Sequence, residues 1–180
     1  MGFGPVRHVL TPRSAARTAR AVACAALLAV AACSGAAAPA QDGSRDAGPV
    51  AAAADLAAAE RLGGHTLARH VGRTDDELRE RLRREPGIAA ASTYPDRRTA
   101  ERIVAVTIQR SARRIEAWSA RAGSRPNLAL DYRGQAGETV GRSLRRGDTS
   151  VRSCPDAVVV LRWHASGTYY VLTSYPECRP

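Results

Sequence analysis

Lysine is absent from this 180-residue chain. All 27 residues of the Lys/Arg class are arginines, so any contact between a side-chain cation and an anion falls to arginine or histidine. Aromatic residues make up only 4% of the chain, too few for a protein that holds single-stranded nucleic acid mainly by stacking bases. The four cysteines include no CxxC pair and no clustered His/Cys spacing, which argues against a zinc site. Long apolar runs are missing as well. The uncharged Ala/Leu/Val-rich run Ala21–Ala32 has twelve residues, too few to span a bilayer as a helix.

At this length the chain allows one domain plus an extra segment, and residues 1–33 are that segment. Arg7, Arg13, Arg17 and Arg20 form a positive region ahead of Ala21–Ala32, the pattern of a signal peptide. The run ends Val30-Ala31-Ala32-Cys33, which resembles the lipobox of bacterial lipoproteins. That resemblance implies lipidation at Cys33, and two acyl chains are enough for stable attachment to a membrane. Cleavage after Ala38-Pro39-Ala40, releasing a secreted protein, is the alternative. Residues 34–50, rich in Ala, Gly, Pro and Ser, read as a flexible tether, and residues 51–180 as the folded domain. With Cys24 in the signal segment and Cys33 lipidated, Cys154 and Cys178 remain to pair in an oxidising compartment, two free thiols being the alternative. The formal net charge is +10, and removing the four leader arginines, with no acid among residues 1–33, leaves 23 − 17 = +6. Such a charge attracts RNA, and equally an anionic membrane surface.

The folded part is organised around Gly63-Gly64-His65-Thr66-Leu67-Ala68-Arg69-His70-Val71-Gly72, which holds two of the four histidines. Leu67 and Val71 stand four apart on one face of a short helix, with His70 at the rim of that face. Thr74-Asp75-Asp76-Glu77 reads as a capping box opening a second helix, in which Leu78 and Leu82 are the buried pair. Arg81 then stands to Leu78 and Leu82 as His70 stands to Leu67 and Val71, eleven residues on. If both helices lay on one core, a proton acceptor and a fixed cation would face one pocket. A packed or capping histidine is the plainer alternative.

The chain upstream and downstream fills in the class. Ala51–Leu62 reads as helical, anchored by Leu56, and Pro86-Gly87 as a turn leading to an extended piece, Ile88–Tyr94. Asp96 can cap a single long helix from about Arg97 to Ala120, carrying Ala100, Ile103, Val104, Thr107, Ile108, Ala112, Ile115 and Trp118 on its apolar face. Its arginines fall mostly off that face, a solvated side or a basic surface for RNA. After Gly123 come short strands, at residues 127–132, 139–143, 157–163 and 168–174, the last two joined through the turn at residues 164–167. Simple alternation in the final strand puts Tyr169, Val171, Thr173 and Tyr175 on one face. Helices followed by strands indicate an α+β fold.

Several of these blocks together resemble a known family. Gly63-Gly64-His65-Thr66-Leu67-Ala68-Arg69-His70-Val71-Gly72-Arg73-Thr74, Leu82, Ala91-Ser92-Thr93-Tyr94, Ile115-Glu116-Ala117-Trp118, Val140-Gly141-Arg142 and Tyr170-Val171-Leu172-Thr173-Ser174-Tyr175-Pro176 occur in the order seen in the bacterial RNase A-like toxin domain. That domain ends contact-dependent growth-inhibition proteins and other polymorphic toxins. The resemblance spans roughly residues 55–178. It implies an RNase A-like fold, N-terminal helices followed by a curved antiparallel sheet, and an endoribonuclease that cleaves RNA by 2′-OH transesterification.

That chemistry requires no cofactor and no metal, and neither is expected here. It requires a base for the 2′-OH, a cation for the charge growing on phosphate oxygens, and a proton for the leaving 5′-oxygen. Carried over by position, the resemblance implies His70 as base, Arg81 as the stabilising cation, Thr173 orienting substrate and Tyr175 donating a hydrogen bond or proton. His65 has three roles open to it: binding phosphate, sharing the acid–base work, or capping its helix. His164, in the hairpin turn, is expected to stand apart. The expected partners are RNA and, through the lipid anchor, a cell-envelope membrane. A cognate immunity protein follows less directly, because the short tether and lipobox differ from the long secreted proteins that usually carry the domain. The reading from another class is a non-catalytic lipoprotein that uses the same fold to bind RNA or another anionic partner.

Overall fold

The computed structural model describes residues 53–179. The signal segment, Cys33 and the tether at residues 34–50 lie outside the described residues, as does Pro180. Helices α1 (Leu56–Arg61), α2 (Thr66–His70), α3 (Asp75–Arg84), α4 (Arg97–Arg110) and α5 (Ala112–Ser119) all precede strand β2. The strands are β1 (Ala90–Thr93), β2 (Leu128–Tyr132), β3 (Gly141–Arg145), β4 (Arg152–Cys154), β5 (Asp156–Trp163) and β6 (Tyr169–Glu177). The fold is α+β, and its antiparallel strands are divided between two three-stranded sheets, ordered β1-β3-β4 and β2-β5-β6.

The short helices form because their ends are satisfied locally. Asp55 caps α1, accepting from the Ala58 amide at 3.0 Å. In α3 the Thr74 hydroxyl accepts from Glu77 N–H, and the Glu77 carboxylate accepts from Thr74 N–H at 2.7 Å, a complete capping box. Asp75, Asp76 and Glu77 in its first turn and Arg81, Arg83 and Arg84 in its last complement the helix dipole. The exposed α3 carbonyls are met from outside: Arg146 Nη2 donates to Leu82 O and Glu85 O, each at 2.8 Å.

The two apolar stripes lie on different cores. Leu78 and Leu82 pack with Ala91 and Leu144 in a small cluster. Leu67 and Val71 pack against the main core of Leu56, Tyr94, Ile103, Val104, Trp118, Leu130, Val159, Leu161 and Val171, among others. The expected 97–120 helix is two helices that meet at Ser111. Thr107 lies one turn before the break, and its hydroxyl donates to Ile103 O at 2.6 Å, a back-bond that bends helices. Ala112 is exposed, so the apolar stripe does not continue evenly across the junction. Trp118 is a core residue whose Nε1 donates to Pro126 O at 2.8 Å.

Two further departures shape the site. Strand β6 runs to Glu177 and carries a bulge: Leu161 is opposite Val171 but Val160 is opposite Thr173, which leaves Leu172 as the extra residue. Cross-strand partners share a face, so Val171 turns inward with Leu161 while Thr173 and Tyr175 turn to the opposite face. The alternation that grouped all four residues on one face is thereby corrected, by the commonest means a strand has of re-aiming a side chain. In addition, β4 was not expected from the sequence. It joins the first sheet and is bonded to the end of the second through the Cys154–Cys178 disulfide, which closes a separation of 24 residues.

That disulfide spans the two sheets, so its loss is felt on folding. On the chain-entropy model a loop of this length is worth roughly 3 kcal/mol. The Cys154→Ala/Cys178→Ala double variant is therefore expected to lose stability of that order, with a lower urea midpoint and a larger m-value because the unfolded chain is no longer cross-linked, a shift readable by tryptophan fluorescence. An unchanged midpoint would show that other contacts hold the sheets together.

Candidate active site

A cleft of about 470 Å³ opens where α2 and α3 face the two sheets. His65 and His70 enter it from α2, Arg81 from α3, Ala90 and Ser92 from β1, Ser143 and Arg145 from β3, Arg152 from β4, and Thr173, Tyr175 and Glu177 from β6. The five residues singled out in the sequence as candidate reacting groups thus line one hollow. His164 is not among its lining residues; it sits in the β5–β6 turn, bonded to Ser166 Oγ at 2.7 Å.

His70 is the deepest of these groups. It is only 8% exposed, whereas Leu67 and Val71 are half-buried, so the inward face of α2 is Thr66 and His70 and the histidine is not a rim residue. Burial of a polar ring needs a partner, and His70 Nδ1–H donates to Ser92 O at 3.1 Å. A carbonyl only accepts, so Nδ1 carries the hydrogen and Nε2 is left as the basic nitrogen. The backbone around this contact is fastened twice more: Tyr94 N–H donates to His70 O at 2.8 Å and Gly72 N–H to Tyr94 O at 3.0 Å. Desolvation holds the His70 pKa down to about 4, aided by the nearby Arg81 and opposed by the Ser92 hydrogen bond. The ring is therefore neutral across the physiological range.

Arg81 is largely covered, its side chain 15% exposed. Long contacts to the Glu85 carboxylate at 3.4 Å and to Arg69 O at 3.3 Å steady it without using its full set of five donors. His65 is the N-cap residue of α2, yet its side chain makes no capping hydrogen bond. Its ring centroid lies 6.4 Å from that of His70, and desolvation, then Arg69 and Arg81, lower its pKa. The Tyr175 ring is 5.5 Å from His70, and its phenol pKa is raised by desolvation, then by Glu177 and Asp131. Thr173 Oγ1 is buried and finds no hydrogen-bond partner among the described residues. An unsatisfied buried hydroxyl costs on the order of 1–3 kcal/mol, which makes Thr173 Oγ1 a candidate to bond a polar group in the adjoining cleft.

The β6 bulge and α2 are built onto each other. His65 N–H donates to the carbonyl of the bulged Leu172 at 3.0 Å, and Ser174 N–H donates to Thr66 Oγ1 at 2.8 Å. The close approach depends on Gly64, where an added Cβ would stand 2.6 Å from Val171 O and 2.9 Å from Ala59 O. Both obstacles are backbone, so neither can swing away. Gly64→Ala is expected to destabilise the fold by about 1–3 kcal/mol and to lower turnover by lifting α2 from the bulge. Urea unfolding beside an activity assay checks this; a variant with normal values of both would show that α2 shifts freely.

Sequence reasoning missed Arg145, Arg152, Ser143 and Glu177 as cleft residues. The expected strand at residues 139–143 stopped at Ser143, two residues short of Arg145, and the strand bearing Arg152 was not expected at all. Extending the alternation by one step, from Ser143 to Arg145 and from Tyr175 to Glu177, was a signal for two of them.

An α+β domain with two three-stranded antiparallel sheets, and a cleft lined by a backbone-oriented histidine and an arginine, is the arrangement expected of an RNase A-like domain. The chain belongs to the bacterial CdiA-CT RNAse A domain family, whose model matches residues 64–176. A similar solved structure is that of a CdiA-CT/CdiI complex from Y. kristensenii 33638, at 30% identity and a TM-score of 0.57, covering 63% of this chain and 99% of that one. No curated protein matches the chain. It is thus a bacterial RNase A-like toxin domain.

Proposed function

We propose that the domain is an endoribonuclease that cuts RNA by transesterification at the cleft between α2, α3 and β6. The observation that carries this reading is the His70 ring. It is buried, neutral, fixed in one tautomer by the Ser92 carbonyl, and shares its cleft with Arg81, Thr173 and Tyr175. His70 Nε2 takes the proton of a ribose 2′-OH. The 2′-oxygen bonds to the adjacent phosphorus, the bond from phosphorus to the 5′-oxygen breaks, and a 2′,3′-cyclic phosphate remains. Arg81 holds the non-bridging oxygens as their charge grows, a task suited to its bidentate fork. The unpartnered Thr173 hydroxyl orients the substrate. No step needs a cofactor or a metal.

The leaving 5′-oxygen needs a proton, and Tyr175 is the better donor. The lowered pKa of His65 leaves it mostly neutral at pH 7, while the raised pKa of Tyr175 keeps its phenol protonated. His65 then serves as a neutral hydrogen-bond donor to a phosphate oxygen. The pH dependence of kcat/KM reports the free enzyme's groups. Because His70 must be neutral to act, the rate should rise through an acid limb near pH 4 and then stay flat through neutrality. A bell with both limbs near neutrality would instead assign the acid to His65. Tyr175→Phe should lower the plateau and leave the acid limb in place.

We further place the chain outside the cytosol, held through Cys33 by the tether at residues 34–50, or released after Ala40. The Cys154–Cys178 disulfide supports an oxidising compartment, and no helix among the described residues is long and apolar enough to cross a membrane. The similar domain was solved bound to a CdiI protein. A protein of that kind is the candidate partner to occlude this cleft, beside the RNA substrate and the membrane that the lipid would enter.

A further inference from the structure

The cleft contains more positive charge than one phosphodiester needs. Three arginines lie in β3 and the turn after it, and two are engaged with α3. Arg142 donates to the Asp75 carboxylate and to Arg73 O, each at 2.7 Å, while Arg146 holds the carbonyls at the end of α3. Arg145 is different: it is exposed, it lines the cleft, and it has no ion-pair or side-chain hydrogen-bond partner among the described residues. Strand alternation puts it on the face of Ser143, and Ser143 is the cross-strand partner of Arg152, a second cleft residue. Among the described residues the one acid paired with Arg152 is Asp148, at 3.7 Å with both side chains well exposed, a contact of little strength. Arg152 stands two residues before Cys154, so the disulfide fixes its strand to the end of β6, just beyond Tyr175.

We propose that Arg145 and Arg152 form a second phosphate-binding position in the cleft, which takes a phosphate neighbouring the scissile one on the same RNA strand. This rests on the ribonuclease reading and adds a substrate requirement to it: the preferred substrate carries at least one phosphate beyond the bond that is cut. The pair lies on the β1-β3-β4 sheet, whereas His65, His70 and Arg81 enter from α2 and α3, so the two positions draw on different elements of one hollow.

The test compares three substrates with the same bases, using the full oxidised chain: a dinucleoside monophosphate, the same with an added 5′-phosphate, and the same with an added 3′-phosphate. One of the two extended forms should be cleaved with kcat/KM roughly ten- to a hundredfold higher, the worth of hydrogen bonds to a charged group. Which form gains reveals the direction of the strand. Arg145→Ala should remove most of that gain, Arg145→Gln likewise, and Arg145→Lys should keep part of it; each removed charge should also flatten the salt dependence of binding by about one unit. Equal kcat/KM on all three substrates, or a gain that persists in Arg145→Ala/Arg152→Ala, would overturn the second position and leave the ribonuclease reading intact. Failure to cleave any of the three, or longer RNA, would overturn both.

Discussion

Replacing His70 with alanine should lower kcat/KM on RNA by roughly 10²–10⁴-fold, the usual worth of a positioned general base. The ring is neutral at working pH, its pKa held to about 4, and its Nδ1–H is tied to a backbone carbonyl, so Nε2 is held ready to take the 2′-OH proton. Removing a buried ring also leaves Ser92 O without its donor, and some stability is expected to go with it. His70→Asn separates the two effects: its amide can still donate to Ser92 O, but it cannot serve as a base. Both variants should show that loss, with the asparagine variant nearer to wild type in thermal unfolding. An active His70→Asn, folded normally, would remove His70 from the chemistry. The same burial makes the fold sensitive to acid. The folded-state pKa lies below the ordinary value, so the unfolded chain binds the extra proton, and stability is lost as pH falls from about 6.5 toward 4.

The second large effect belongs to Arg81. Arg81→Ala should lower kcat by roughly 10²–10³-fold, the loss seen when a donor to transition-state charge is removed, with a smaller change in KM. Alanine suits the helix interior, and the contacts given up, to Glu85 and Arg69 O, are long, so folding should survive. Arg81→Lys should recover only a small part of the rate, because an ammonium has no fork to hold two oxygens in one plane. Near-full activity in the lysine variant would mean that the site needs only a positive charge there. Measuring kcat and KM separately decides between transition-state and ground-state binding.

Much of this site is written locally in the chain. The Thr74/Glu77 capping box, the Leu78/Leu82 pair and the position of Arg81 on the same short helix follow from spacing alone, and the structure shows the first two in place. Trp118 reads as a core residue and is one. What could not be read is what depends on distant partners. Spacing put His70 at the edge of an apolar face; it is buried because the β1 carbonyl at Ser92, 22 residues away, satisfies it. The two helices proved to lie on separate cores, so the condition for a shared pocket was not met as stated. The pocket exists because β1 and β6 bring the two helices' polar edges together.

The β6 bulge is the clearest case. A period of two carries no mark where one residue is extra, and Leu172 looks like any apolar strand residue. The signal lies elsewhere in the chain, in Gly64, whose missing side chain admits the bulged backbone. Strand β4 is three residues long and polar at two of them, below what alternation can detect. The break at Ser111 was hidden for the opposite reason, since apolar residues on both sides keep nearly helical spacing.

The most direct test of the central claim is to incubate the full oxidised chain with RNA in EDTA and determine the new 3′ ends, beside His70→Asn. Fragments ending in 2′,3′-cyclic phosphate, absent with the variant, are the expected result. Intact RNA, or cleavage that persists unchanged in the variant, would contradict the account.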